Sequence, residues 1–360
     1  MSLSVLIAGG GTGGHLYPGI AVARELLRRV PDAIVTFVGT AAGIEARVIP
    51  REGLALQLIR SAGIKGKSLI ERLRGAALLP LSVLDAAAVL SRTKPSVVIG
   101  VGGYSSGPVV AFAALRGIPT LLLEQNAMPG LTNRLLARMV RAAAVTYEDS
   151  LPHFVGRGFV AGNPVRPEFF QEAYQAHPSP PAAARVLVFG GSQGAHAINL
   201  AMVEAAPRLA AALPGVAITH QTGEHDVEMV RDGYRRAGLD ARVEPFLFAM
   251  DREMKAADLV VCRSGATTLA ELMAAGRASV LIPLPTATDD HQRRNAEAVV
   301  TQGAARLLEQ KHLTGERLAD EVLALAADGA ARTAMGQAAR RMARPDAARI
   351  IVDRVIALAG

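Results

Sequence analysis

Tryptophan is absent from these 360 residues, aromatic side chains make up 4% of them, and there is one cysteine, Cys262. With one thiol no disulfide can close within the chain, which fits a reducing cytosol. The core must be built from Leu, Val, Ile and Ala, a composition suited to buried parallel strands flanked by helices. Long apolar runs are missing too. The longest, residues 75–90, is broken by Pro80, Ser82 and Asp85 and falls short of the ~20 residues that span a bilayer. The opening MSLSVLIAGGGTGG lacks a basic leader and its apolar run breaks at Gly9, so it reads as a first strand and not a signal peptide. A soluble or membrane-peripheral protein is expected.

No zinc-finger spacing, basic helix or interleaved aromatic surface occurs, which argues against nucleic acid as a partner. The formal net charge of +7 points instead to anionic lipid or phosphorylated small molecules. Half the residues are apolar and a fifth charged, so the chain folds, and its length favours two domains over one.

What is present is a recurring unit: a short β-branched run, a Gly-rich turn, then a helical stretch. Strands are expected at residues 4–8, 34–38, 97–100, 120–123, 185–189, 259–262 and 279–282, with helices such as 19–29 and 132–140. That alternation implies parallel sheets with right-handed crossovers. The halves open alike, with SVLIAGGG from Ser4 and RVLVFGGS from Arg185, and the segments around Asn163 and His177 break the pattern between them. The expectation is an α/β fold of two Rossmann-like doubly wound parallel-sheet domains facing a central cleft. One spans residues 1–163 and the other 164–345, and a final helix, 346–360, packs back on the first. Ligands of such sheets bind at the carboxyl ends of the strands.

Three glycine loops follow strands: GGGTGGH from Gly9, GGYSSG from Gly102 and GGSQG from Gly190. Glycine lets a phosphate approach the backbone, and a following helix adds its positive end. Gly9, Gly11 and Gly14 fit G-x-G-x-x-G, but the second strand ends Val38-Gly39-Thr40 without the carboxylate a dinucleotide site wants, and no loop carries a Walker Lys-Ser/Thr. The plain alternative, that the glycines only pack helix on strand, explains one loop better than three. In CRSGATTLAE, Ser264 can cap a helix whose first amides, Ala266 to Thr268, suit a diphosphate. Glu271, one turn on, suits a ribose diol, or else is a solvated helix residue. Asp289 can cap the helix after the next strand, with His291 and Gln292 at the strand-end cleft. Asp289 and Asp290 are adjacent, unlike a metal-binding D-x-D, and neither metal nor cofactor is expected.

GGGTGGHLYPG, VGGYSSGP, EQNAMPGLTN, AGNPVR, FGGSQGA, CRSGATTLAE and DDHQRRNA run in order from residue 9 to about 297. Together they resemble the MurG family of N-acetylglucosaminyltransferases of peptidoglycan synthesis. The resemblance implies a GT-B fold, an inverting reaction, UDP-N-acetylglucosamine (UDP-GlcNAc) as donor, and an undecaprenyl-linked N-acetylmuramyl-pentapeptide (lipid I) as acceptor. It also implies a peripheral place on the cytoplasmic face of the bacterial inner membrane. Its donor site falls on Thr12, Gly13, Gly14, Asn126, Arg166, Ser192, Leu247, Ala266, Thr267, Thr268, Glu271 and Gln292. Leu247 stands where the family commonly has Ile, a main-chain contact to uracil, and Leu123 stands where a histidine is often found. Gly102, Gly103, Tyr104 and Ser105 form an acceptor-diphosphate loop.

The attacking hydroxyl needs a base. His15 is the first candidate because imidazole titrates near neutrality, though it can equally hydrogen-bond the acceptor or its own loop. Glu124 is the second, or else orients Asn126. Lys65, Lys67, Arg72 and Arg74 beside Leu69, Ile70 and Leu73 suit an anionic membrane surface, or equally a core helix with a solvated basic face. The rival readings are another UDP-sugar enzyme of the same fold (a glycolipid synthase or a UDP-GlcNAc 2-epimerase) and a non-enzymatic UDP-sugar sensor.

Overall fold

The computed structural model describes residues 2–61, 78–170, 184–191 and 193–360. Ser192 and the expected membrane segment with Lys65, Lys67, Leu69, Ile70, Arg72, Leu73 and Arg74 lie outside the described residues. The chain divides into two compact units, Met1–Val165 with Arg344–Gly360, and Arg166–Ala343.

In the first unit the described elements run β1 (Ser4–Gly9), α1 (Gly13–Arg29), β2 (Ile34–Gly39), α2 (Glu45–Arg51), β3 (Ala55–Leu58), α3 (Leu79–Thr93), β4 (Val97–Gly102), α4 (Ser106–Leu115), β5 (Thr120–Glu124), α5 (Leu131–Leu136), β6 (Ala142–Val145) and β7 (Gly158–Val160). The sheet order is β3-β2-β1-β4-β5-β6-β7, and every pairing is parallel. β4 and β5 are buried along their whole length, as strands covered on both faces must be. Strand order reverses between β1 and β4, and ligands of doubly wound sheets bind at such a point.

The second unit repeats the plan: β8 (Arg185–Phe189), α6 (His196–Ala212), β9 (Ala217–Gln221), α7 (Val227–Arg236), β10 (Ala241–Glu244), α8 (Met250–Ala256), β11 (Leu259–Cys262), α9 (Ala266–Ala275), β12 (Ala278–Leu281), α10 (His291–Thr301), β13 (Arg306–Leu307), α11 (Gly315–Ala327) and α12 (Gly329–Met342). Its order, β10-β9-β8-β11-β12-β13, reverses between β8 and β11. The last helix, α13 (Ala347–Ala359), returns to the first unit. Ile351, Val352 and Val355 are fully buried there in one cluster with Val5, Ile7, Leu16 and Ala23.

Two helices differ from expectation. α1 begins at Gly13, not residue 19: the helix continues through Pro18, which sits in its second turn. α5 ends at Leu136, short of residue 140. Arg157 supplies a side-chain donor to the carbonyls of Ala137 and Arg138, and the chain turns so that Arg141 N reaches Thr120 O at 3.0 Å beside β5.

Ile351→Ala is expected to destabilise the first unit by about 2–4 kcal/mol through the cavity it leaves. Urea unfolding followed by hydrogen exchange should show the loss in β1 and α1 peptides.

Candidate active site

The first switch point is built from backbone. Gly9, Gly10 and Gly11 take φ of +143°, +149° and +86°, and Gly102 and Gly103 take +94° and +81°. A Cβ on Gly9 would lie 2.4 Å from Gly102 O, and one on Gly103 would lie 2.4 Å from Gly10 O. The β1–β4 register shifts at Ala8/Gly9 to allow this contact. Tyr104 covers Gly11, and its hydroxyl lies 3.4 Å from Thr40 Oγ1. Ser105 is buried at the start of α4.

A carboxylate that sequence reasoning missed locks this loop. Glu45 is fully buried and accepts from Gly11 N at 2.8 Å, Thr40 N at 2.8 Å and Thr40 Oγ1 at 3.2 Å. The acid sought at the end of the second strand thus lies further along, and it binds the loop itself. The signal for it was glycine: a Cβ on Gly10, Gly39 or Gly43 would fall within 2.4 Å of this side chain.

His15 lies in the first turn of α1. Its Nδ1 is 3.1 Å from Thr12 Oγ1, and its ring edge fills the space where Gly102 lacks a Cβ, 3.1 Å from Nε2. In the tautomer that donates Nδ1–H to the threonine, Nε2 is the basic nitrogen. Thr12, Gly13, Gly14 and His15 therefore meet Gly102 to Ser105 at one strand end. Glu124 ends β5 with both oxygens engaged. Oε1 accepts from Asn126 N at 2.9 Å and Nδ2 at 3.2 Å, and Oε2 accepts from Gly130 N at 3.0 Å and Asn133 Nδ2 at 2.9 Å. Burial raises its pKa and these four donors oppose the rise. The geometry is that of a residue orienting Asn126 and its loop. Gln125 Nε2 ties the same segment to Val101 O at 3.1 Å.

In the second unit the loop ends converge on α9. Gly265 takes the N-cap position without a side-chain cap, so Ser264 does not cap the helix as expected; its buried hydroxyl donates to Gln292 O at 2.8 Å. That bond holds the start of α10 against the start of α9, where Ala266, Thr267 and Thr268 present the first three amides. Gln292 Oε1 accepts from Leu284 N at 3.0 Å. Arg263, also unforeseen, donates to Ile282 O, Pro283 O and Gln310 Oε1 and so fixes the loop after β12. Asp289 is not a cap either. It and Asp290 both sit in the left-handed region, Asp290 holds the N-cap position of α10, and its carboxylate pairs with Arg293.

Glu271 lies one turn into α9, 4.0 Å from Arg166, whose guanidinium stacks on Phe169. Burial raises its pKa from 4.5 to about 7, with Arg166 opposing and Asp251 adding to the rise. Leu247 is anchored through its N–H, which donates to Gln221 Oε1 at 2.9 Å, while Gln221 Nε2 donates to Gly191 O at 2.8 Å. Its carbonyl is then the main-chain atom suited to a ligand. Thr12, His15 and Asn126 belong to the first unit, and Arg166, Leu247, Glu271 and Gln292 to the second.

Residues 5–145 match the glycosyltransferase family 28 N-terminal domain and residues 185–351 its C-terminal domain. The UDP-N-acetylglucosamine–N-acetylmuramyl-(pentapeptide) pyrophosphoryl-undecaprenol N-acetylglucosamine transferase of Pelobacter propionicus is 48% identical, over 98% of this chain and 99% of that protein. The protein of the same name from Anaeromyxobacter sp. is 46% identical, over 98% and 92%. The crystal structure of Acinetobacter baumannii MurG matches with a TM-score of 0.80 and 30% identity over 99% of both chains.

Glu45→Ala strands two backbone donors in the first loop and is expected to cost about 2–4 kcal/mol, measured by urea unfolding. For Glu271 the folded pKa lies above the unfolded 4.5, so its contribution to stability is complete below pH 4.5 and is lost as pH rises through 7. Glu271→Gln should therefore stabilise the free protein by about 1–3 kcal/mol at pH 8.5 and leave it nearly unchanged at pH 4.5. Thermal unfolding of both proteins at the two pH values is the measurement.

Proposed function

The chain belongs to glycosyltransferase family 28, and on that premise we propose that it transfers N-acetylglucosamine from UDP-GlcNAc to the C4 hydroxyl of the muramyl sugar in undecaprenyl-pyrophosphoryl N-acetylmuramyl-pentapeptide. This is the lipid I to lipid II step of peptidoglycan synthesis. The observation that carries it is 48% identity, over nearly the whole of both chains, to a transferase of that name. The architecture, two Rossmann-like parallel-sheet units, is that of a GT-B glycosyltransferase.

The second unit serves the donor. The first amides of α9 receive the diphosphate, whose negative charge grows as the sugar leaves, and the helix dipole opposes that charge. Glu271, as its anion, accepts both ribose hydroxyls, and Arg166 beside it favours that charged state. The Leu247 carbonyl meets uracil N3–H. Ser192, Gln292, Asn126, Thr12, Gly13 and Gly14 are the remaining donor-binding residues.

The first unit serves the acceptor. His15 Nε2 takes the proton of the C4 hydroxyl as oxygen attacks the anomeric carbon opposite UDP. One displacement through an oxocarbenium-like state turns α into β. Glu124 is the weaker base because its oxygens already accept from four donors, so it acts through Asn126. Gly102, Gly103, Tyr104 and Ser105 take the acceptor diphosphate, whose approach glycine permits.

No described helix is long and apolar enough to cross a membrane. A lipid-linked acceptor nevertheless requires contact with a bilayer, and the basic and apolar residues 65–74 are suited to an anionic cytoplasmic face.

Labelled N-acetylglucosamine should pass from UDP-GlcNAc, but not glucose from UDP-glucose, to lipid I with EDTA present. His15→Ala should lower kcat about 10²–10⁴-fold. Turnover of UDP-GlcNAc without acceptor would instead mark an epimerase, and a fully active His15→Ala enzyme would remove His15 as base.

A further inference from the structure

In the second unit, a chain of buried polar side chains that the proposed mechanism does not use supports the glycine loop after β8. Gly194 takes φ of +75°, and a Cβ there would lie 1.8 Å from Thr222 O; one on Gly223 would lie 2.2 Å from Gln193 O. Loop and turn share a backbone contact with no slack. Thr222 O accepts from Asn199 Nδ2 at 2.9 Å, and the same nitrogen donates to Asp226 Oδ2 at 2.7 Å. The reverse amide orientation would set an oxygen against a carbonyl and a carboxylate. Asn199 Oδ1 therefore faces His220 Nε2, 3.0 Å away, and must accept from it. The imidazole carries its proton on Nε2, so Nδ1 accepts from Tyr234 OH at 2.8 Å. Asp226 ends the chain against His196 Nδ1 at 2.9 Å.

Tyr234, His220 and Asn199 are all buried. Burial drives the His220 pKa down to about 3, against the pull of Asp226, so the ring is neutral throughout the physiological range. The titratable groups around it are Tyr234 and Asp226, with His196 and His225 beyond the carboxylate. The next residue on β9, Gln221, joins Gly191 O to Leu247 N. One strand end thus sets the loop, the Thr222 turn and the Leu247 backbone.

We propose that His220, with Asn199 and Tyr234, is a positioning residue for the donor: its Nε2–H tautomer holds the Thr222 turn against Gly194 and so fixes the loop that receives the UDP-sugar. This rests on the donor reading above. His220→Leu removes both bonds from a side chain of similar bulk and should raise the KM for UDP-GlcNAc about tenfold, with kcat changed less than about twofold. His220→Gln can accept from Tyr234 and donate to Asn199, and should stay within about threefold of the original KM. Val230→Ala opens a cavity in the same core, on the helix that carries Tyr234, and should leave KM unchanged. Hydrogen exchange of the Gly191, Gly194 and Gly223 amides, measured without substrate, should quicken in His220→Leu and not in Val230→Ala.

A folded His220→Leu enzyme with unchanged KM and unchanged exchange overturns the proposal, as does a Val230→Ala enzyme matching it in both. Should the protein turn over no UDP-sugar, the donor reading fails and the exchange arm alone decides on the relay. Should His220→Leu not fold, Tyr234→Phe removes one bond and should show the same KM and exchange changes at about threefold amplitude.

Discussion

Where β1 and β4 part, Gly102 O lies 2.4 Å from the point a Cβ on Gly9 would occupy, and Gly10 O lies as close to that of Gly103. Two loops can share that volume only when neither carries a side chain, and only with φ values that other residues resist. The second unit uses the same device where Gly194 meets Thr222 and Gly223 meets Gln193. These contacts leave the turns no room to drift. The groups carried by the first pair, the first turns of α1 and α4 with His15, inherit that fixity.

The carboxylates divide by how they are satisfied. Glu45 accepts three hydrogen bonds and Glu124 four, all from the backbone and side chains of the loops they organise. Such groups have little capacity left for a ligand. Glu271 is largely but not fully buried and meets Arg166 only at 4.0 Å, and desolvation raises its pKa. Perturbation of this kind is common at functional sites.

The fold was most legible where a short apolar run ends in or runs into glycine, as in β1, β2, β4 and β8. Residues 185–189 and 259–262 are strands with the very bounds read from the sequence. Positions set by long-range partners were not legible. Ser264 followed by a helix has every local mark of a cap, yet its hydroxyl is drawn to Gln292 O, 28 residues away. Asp289 loses the cap position because two consecutive left-handed residues move the start of α10. Glu45 lay hidden because a dinucleotide pattern directs attention to the strand end, whereas this acid reaches back from α2. The His220 chain joins β9, α6 and α7, and no local pattern announces it.

The return of α13 to the first unit gives the polypeptide an order of assembly. The second unit is one uninterrupted stretch, Arg166–Ala343, whereas the first needs Ile351, Val352 and Val355 to close its core. On a ribosome adding about 5–20 residues per second, Val165 precedes Ile351 by roughly 10–40 s. During that interval the apolar groove beside α1 stays open while the unit made later completes itself. The first unit is therefore finished after the second, and its hydrophobic face must stay covered until α13 emerges.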